Sequence, residues 1–215
     1  MIKSIVLLLA AAAAVALIAP GAKAQLTAGK AFATAPQTVF PLLDAGTRLD
    51  MIDYYNSNLS TPSTNKLQGR SRITAMNDKA LTVEMSPAST NEIFILPNGS
   101  DSIIAVITTL ATPTPDSHIS FYTADWKALD TAKYFDKPLL GDWLTDDGKK
   151  NRSQVEAMVP FLLIGYQWDP ATNVLTLTNN TGQFLSADIY ETVSGYMYPS
   201  LKYQWNGRKM TPAND

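Results

Sequence analysis

Cysteine is absent from this chain, and histidine occurs once, as His118. Without cysteine there is no disulfide, no thiolate metal site, no cysteine nucleophile and no lipid-carrying cysteine to anchor an exported protein. One histidine cannot build the two- or three-histidine sites that hold zinc. Clustered positive charge is missing as well. No run of lysine or arginine exceeds two residues, as in Lys149-Lys150, and 17 basic residues stand against 19 acidic ones. Nucleic acid and anionic membrane surfaces both require such clusters, so neither is an expected partner. No Gly-x-Ser-x-Gly elbow occurs. Gly141 and Gly148-Lys149 are spaced too widely for a phosphate loop, and Lys150 stands where Ser or Thr would hold magnesium. Asp142, Asp146, Asp147 and Gly148 lack the alternating oxygen ligands of a calcium loop and read as a solvated acidic turn. No metal and no cofactor is expected. Asp116 and Ser117 adjoin His118, but catalytic triads are assembled from separated segments. His118 therefore reads as a partly exposed strand-edge side chain.

Long apolar runs are limited to one, at the N-terminus. After Lys3 and Ser4 the chain is apolar from Ile5 to Ala19, then Pro20 and Gly21 break it, and Ala22-Lys23-Ala24 supplies small residues. This is the layout of a secretory signal cleaved after Ala24, with Gln25 as the new N-terminus. The run is Ala-rich and shorter than the roughly 20 residues that span a bilayer. The expected organisation is a signal peptide over 1–24 and a single α+β domain over 25–215, with a sub-division near 125–150 left open. Losing 24 of the 215 residues leaves 191, enough for a core that needs no crosslinks. The expected location is the periplasm or outside the cell, with no membrane span after cleavage.

Along the mature chain, residues 25–33 read as a flexible lead-in. Pro36 suits the first turn of a helix carrying Val39, Phe40, Leu42 and Leu43, with Thr34 as its cap. Thr47 caps a second helix whose Leu49, Ile52 and Tyr55 share one face. Five strand-like segments follow: 67–76, 80–85, 90–96, 102–111 and 118–123. Loops of about four residues between them imply an antiparallel meander, because parallel neighbours need long crossovers. The segment 102–111 is the most hydrophobic and reads as a central strand. Residues 124–152 mix Trp126, Tyr134, Phe135 and Trp143 with charges and read as a long, partly ordered connection. Then come a short helix at 153–158, a hairpin of 161–168 with 174–179, a helix over 186–196, and a last strand or hairpin over 201–210 bent at Asn206-Gly207. Strands grouped apart from helices give the α+β class.

Aromatic side chains carry what functional potential the sequence shows. There are nine Tyr, seven Phe and four Trp. Tyr166-Gln167-Trp168 is echoed by Tyr203-Gln204-Trp205, each placing two aromatics on one strand face just before a turn. Stacked Tyr and Trp can form a platform for sugars or peptides, and they can equally pack a core. Trp126 and Trp143, set among charges, are the better candidates for exposed contacts. The candidate binding residues are thus Trp126, Trp143, Tyr203 and Trp205; none is catalytic.

The stretches Pro41-Leu42-Leu43, Arg48 through Tyr55, Asp116 through Tyr122 with Trp126, Val159 through Ile164, and Pro199 through Gly207 together resemble a family of secreted Bacteroides-group proteins, about 200 residues long and classed as a domain of unknown function. The resemblance implies a Gram-negative host and carries no activity, catalytic residue or ligand. It also implies a modification, because that group attaches glycans at Asp followed by Ser or Thr and then a mostly apolar residue. Asp130-Thr131-Ala132 and Asp101-Ser102-Ile103 fit, with Thr131 the better placed. Asp130 capping a short helix and Asp101 closing a turn explain the same residues without a glycan. The expected function is a non-enzymatic binding or protein-interaction module of the envelope, its partner left open between an envelope protein and a glycan. The alternative is a carbohydrate-binding or carbohydrate-active protein using surface aromatics and carboxylates.

Overall fold

The computed structural model describes residues 25–59, 61–111 and 113–213; the signal-like segment 1–24 lies outside them. Alternating side chains and short loops produce the main element, a seven-stranded antiparallel sheet with its strands in chain order. These are β1 (Ser63–Thr64), β2 (Arg70–Met76), β3 (Ala80–Ser86), β4 (Ser89–Asn98), β5 (Asp101–Leu110), β6 (Asp116–Thr123) and β7 (Ala128–Leu129). The β4–β5 hairpin pairs without a break from Ser89 opposite Leu110 to Asn98 opposite Asp101. Gly99, at φ +64°, turns it in a conformation that L side chains resist. Residues 103–107 of β5 are buried without interruption, because this strand is covered on both faces.

The first face lies under two helices, α1 (Ala28–Thr34) and α2 (Ala45–Asn56). α1 begins in the stretch expected to be a flexible lead-in. Thr27 caps it by accepting the Lys30 N–H, and Ala28, Ala31 and Phe32 recur at helical spacing on its buried side. Residues 36–43 are turns, not the helix expected after Pro36. They turn Phe40 inward, edge-on to Phe32 with ring centres 5.2 Å apart. α2 is capped by Asp44, which accepts the Thr47 N–H at 2.8 Å, so Thr47 lies inside the helix rather than before it. Arg48 is buried here, and its guanidinium donates to the carbonyls of Leu43 and Ala35. It ties the turns to the helix and, among the described residues, meets no carboxylate in a salt bridge; burial lowers its pKa.

The other face packs on a second, four-stranded antiparallel sheet of order β11-β10-β9-β8, built from β8 (Ile164–Asp169), β9 (Val174–Asn179), β10 (Ser200–Trp205) and β11 (Met210–Pro212). The helices α3 (Asp146–Lys150), α4 (Arg152–Met158) and α5 (Ala187–Val193) lie in the connections. The architecture is therefore α+β, with N-terminal helices, a meander, then helices and a hairpin-based sheet. The connection 124–152 is ordered throughout, against the sequence expectation. Short 3₁₀ turns at Thr131–Lys133 and Leu140–Trp143 hold single large side chains in the core while the charges between them stay in water.

Along the seam between the sheets, alternate N–H groups of edge strand β8 are satisfied by side chains of the first sheet. Ile164 N–H donates to Asp116 Oδ1 and Tyr166 N–H to Ser117 Oγ, both at 3.0 Å. Glu92 of β4 accepts the Trp168 N–H. An edge that would otherwise invite another strand is thus closed within the chain.

Candidate functional site

The four aromatic candidates from the sequence are core residues. Trp143 is fully buried and Trp126 nearly so, which corrects the expectation that they are exposed. Trp126 takes a left-handed backbone, φ +64°, at the end of the turn after β6. That turn folds its ring back onto Tyr122 and Phe40. Tyr203 and Trp205 face the first sheet, as Tyr166 and Trp168 do on the other side of β9. Phe135 is wedged edge-on between Tyr166 and Tyr203, at 5.9 and 5.2 Å, and Phe94 stacks flat on Trp168 at 4.7 Å. Trp205 donates its indole N–H to the Pro97 carbonyl at 2.9 Å. Burial pushes the Tyr166 hydroxyl up to about 12, with Asp116 and Tyr203 adding to the rise. The echoed Tyr-x-Trp pairs are thus one inter-sheet core rather than a platform.

Asp116, Ser117 and His118 separate by role. Asp116 and Ser117 bind the β8 backbone as described, and Ser117 also shares a 2.7 Å hydrogen bond with Thr109. His118 points to the opposite face and is exposed. Thr131 opens a 3₁₀ turn capped by Asp130, whose carboxylate accepts the Ala132 N–H; its side chain is partly exposed. Ser102 lies partly exposed at the start of β5, opposite Pro97.

Exposed aromatics are found elsewhere. Among the described residues, the large aromatic side chains that are exposed are Phe161, Phe184, Tyr190 and Tyr198. All four lie at the end of the second sheet where β8 begins and β9 ends. Phe161 and Phe184 touch, with ring centres 5.1 Å apart. Tyr190 of α5 lies so close over Gly182 that a Cβ there would meet its ring at 2.3 Å. Tyr190 and Tyr198 border a cleft of about 180 Å³ with Leu185, Val193 and Met197 at its base and Asn179, Thr181 and Ser194 as its polar groups. The floor is fixed: Thr181 Oγ1 accepts the Leu163 N–H, and Asn180 donates to the Pro115 carbonyl at 2.7 Å. The only sequence signal for this site is the density of aromatics in 161–198, and aromatic residues do not reveal from sequence which of them face out.

On the far side of Tyr198 a wider groove of about 560 Å³ runs between Asp142 and Lys149 on one wall and Ser200 to Tyr203 on the other. Asp142 is the carboxylate there, and it is engaged by the Leu139 N–H at 2.7 Å. No carboxylate lines the cleft at Tyr190. Neither space therefore offers the carboxylate pair that glycoside hydrolysis needs. Among the described residues, no three His, Asp or Glu side chains gather as a metal site would require, and no helix is long and apolar enough to cross a membrane.

Residues 21–210 match the family model described as "Protein of unknown function (DUF3256)". The chain belongs to this family. The match spans both sheets, so the DUF3256 family pattern covers the meander, the seam and the aromatic end together. Among solved structures, a domain of an uncharacterized protein from Porphyromonas gingivalis W83 aligns with a TM-score of 0.76 at 20% identity, covering 87% of this chain and 98% of that one. At that identity the likeness is one of fold. No curated protein matches the sequence.

Proposed function

We propose that this DUF3256 protein is an exported, non-enzymatic binding module of the bacterial envelope that docks a partner protein on the surface formed by Phe161, Phe184, Tyr190 and Tyr198. The observation that supports it is segregation. Most aromatics of the chain are committed to the two cores, yet these four are exposed at one end of the second sheet, Tyr190 and Tyr198 lining a cleft and Phe161 and Phe184 in contact with each other. Exposed apolar patches of this kind mark interaction sites, and Phe and Tyr are the residues that anchor interfaces. The signal layout of residues 1–24 supports export.

A second reading, glycan binding, is favoured by one feature. Tyr190 and Tyr198 border a cleft that also presents Asn179, Thr181 and Ser194, the mixture of ring faces and polar groups that sugars use. The test is a pull-down from envelope extract with the mature protein and its Phe184→Ser variant, run beside a glycan array. A protein partner retained by the first and lost by the second is the expected result. Glycan hits with no protein partner overturn the docking reading in favour of the second.

A further inference from the structure

We propose that the partner segment is both apolar and basic, an amphipathic stretch whose Lys or Arg residues flank its apolar anchors. The inference rests on the docking reading above and goes beyond it by naming what docks. The first observation is size. A cleft of about 180 Å³ falls below the roughly 300–1,000 Å³ of small-molecule pockets. With Phe161 and Phe184 beside it, the cleft suits one anchoring side chain of a larger apolar surface.

The second observation is charge. From Ser153 to Leu201 the chain holds no lysine or arginine, but it holds Glu156, Asp169, Asp188 and Glu191. Glu156 is paired with Arg152 and Asp169 lies at the far end of β8, so Asp188 and Glu191 are the carboxylates of this stretch that belong to the aromatic end. Asp188 and Glu191 are exposed on α5, three residues apart and so on one side of the helix, while Tyr190 leaves the same helix on another side toward the cleft. The nearest cations before this stretch are engaged: Arg152 with Glu156 at 2.7 Å and Lys149 with Asp146 at 3.2 Å. The cleft lining itself is uncharged. An acidic partner would be repelled at the rim, and a neutral one would gain nothing from Asp188 and Glu191. A basic one pairs with both carboxylates on α5 while its apolar anchors meet the aromatic surface.

The test uses two fluorescent amphipathic peptides, one of leucine and lysine and its twin with glutamate in place of lysine, titrated against the mature protein by anisotropy. The lysine peptide is expected to bind at least about tenfold more tightly, with affinity falling as salt rises. Phe184→Ser and Tyr198→Ser, which leave charge unchanged, each weaken it by about tenfold. Asp188→Lys with Glu191→Lys abolishes the preference for the lysine peptide while the thermal midpoint stays put. Equal binding of the two peptides, or binding untouched by Phe184→Ser, overturns the proposal. A photo-crosslinker at position 184 in envelope extract separates the two levels of inference. An acidic or uncharged captured segment overturns this proposal and leaves protein docking standing, whereas a basic apolar segment supports both.

Discussion

The face of the large sheet beneath α1 and α2 is filled by alanine, methionine and aliphatic side chains, with Phe32, Phe40 and Trp126 at one side. The face beneath the second sheet sets eight rings among its aliphatic side chains: Phe94, Phe121, Phe135, Trp143, Tyr166, Trp168, Tyr203 and Trp205. Small residues let the helices lie close to the sheet, so that face is closed by elements near in sequence to the strands they cover. The opposite face must fill the roughly 10 Å between stacked sheets, and large rings from distant segments do so. The helical face is thus covered by nearby helices with Phe40 and Trp126 folded in from turns, and the sheet-on-sheet face by rings standing on β4, β6, β8 and β10 with Phe135 and Trp143 delivered from the connection.

The largest effect that probes this difference is expected at Trp143. It is fully buried, and its indole nitrogen has no hydrogen-bond partner, so its contribution is packing alone. Trp143→Ala is expected to cost about 3–5 kcal/mol, with Phe40→Ala on the helical face costing a comparable amount. Urea unfolding followed by tryptophan fluorescence and far-ultraviolet circular dichroism checks both. One shared transition in each variant means the sheet couples its two faces as a single cooperative unit. Loss of fluorescence structure ahead of the circular dichroism in Trp143→Ala alone would show that the second sheet melts by itself.

The same contrast explains what was legible in the sequence. The strands from 70 to 123 were readable because alternation and tight turns are local signals, and β5 stood out because it is buried on both faces. α1 was missed: its buried set is only Ala28, Ala31 and Phe32, and Pro36 drew the helix too far along the chain. Trp126 and Trp143 were misread because an anchor in a 3₁₀ or left-handed turn has no periodicity and sits beside solvated charges. The aromatic end was missed for the converse reason. Tyr190 lies in a helix that was correctly expected, Phe161 was expected in a strand that begins only at Ile164, and Phe184 and Tyr198 fall between elements; none of these positions marks its ring as facing out.

A smaller effect separates adjacent residues of one motif. Ser117→Ala removes the acceptor for the buried Tyr166 N–H and the partner of Thr109. It is expected to cost about 1–3 kcal/mol. His118→Ala, one residue on and facing solvent, should change stability by less than about 0.5 kcal/mol. Thermal melts of the two variants side by side measure this. Equal losses would mean that the seam of side chains on β8 does not hold the sheets together.

The smallest effect tests the same seam at Glu92, and its sign depends on pH. Burial between the sheets pushes this carboxyl up to about 7, against the opposing influence of the Trp168 N–H that it accepts. In the unfolded chain it titrates near 4.5. Ionisation therefore opposes folding. The stability tied to the protonated group is fully present below about pH 4.5 and is lost as pH rises through 7, with no further change above. Its neighbours across the strands are Thr82 and Ile107, and the nearby Glu84 is held by Arg72 at 2.9 Å, so no cation relieves the buried charge. Gln in its place keeps a carbonyl for the Trp168 N–H and cannot ionise. Glu92→Gln is thus expected to stabilise the protein by about 1–2 kcal/mol at pH 8 and to change little at pH 4. Urea midpoints at the two pH values decide it. A gain of the same size at both would show that the effect is packing and that the carboxylate at this seam is solvated like any surface glutamate.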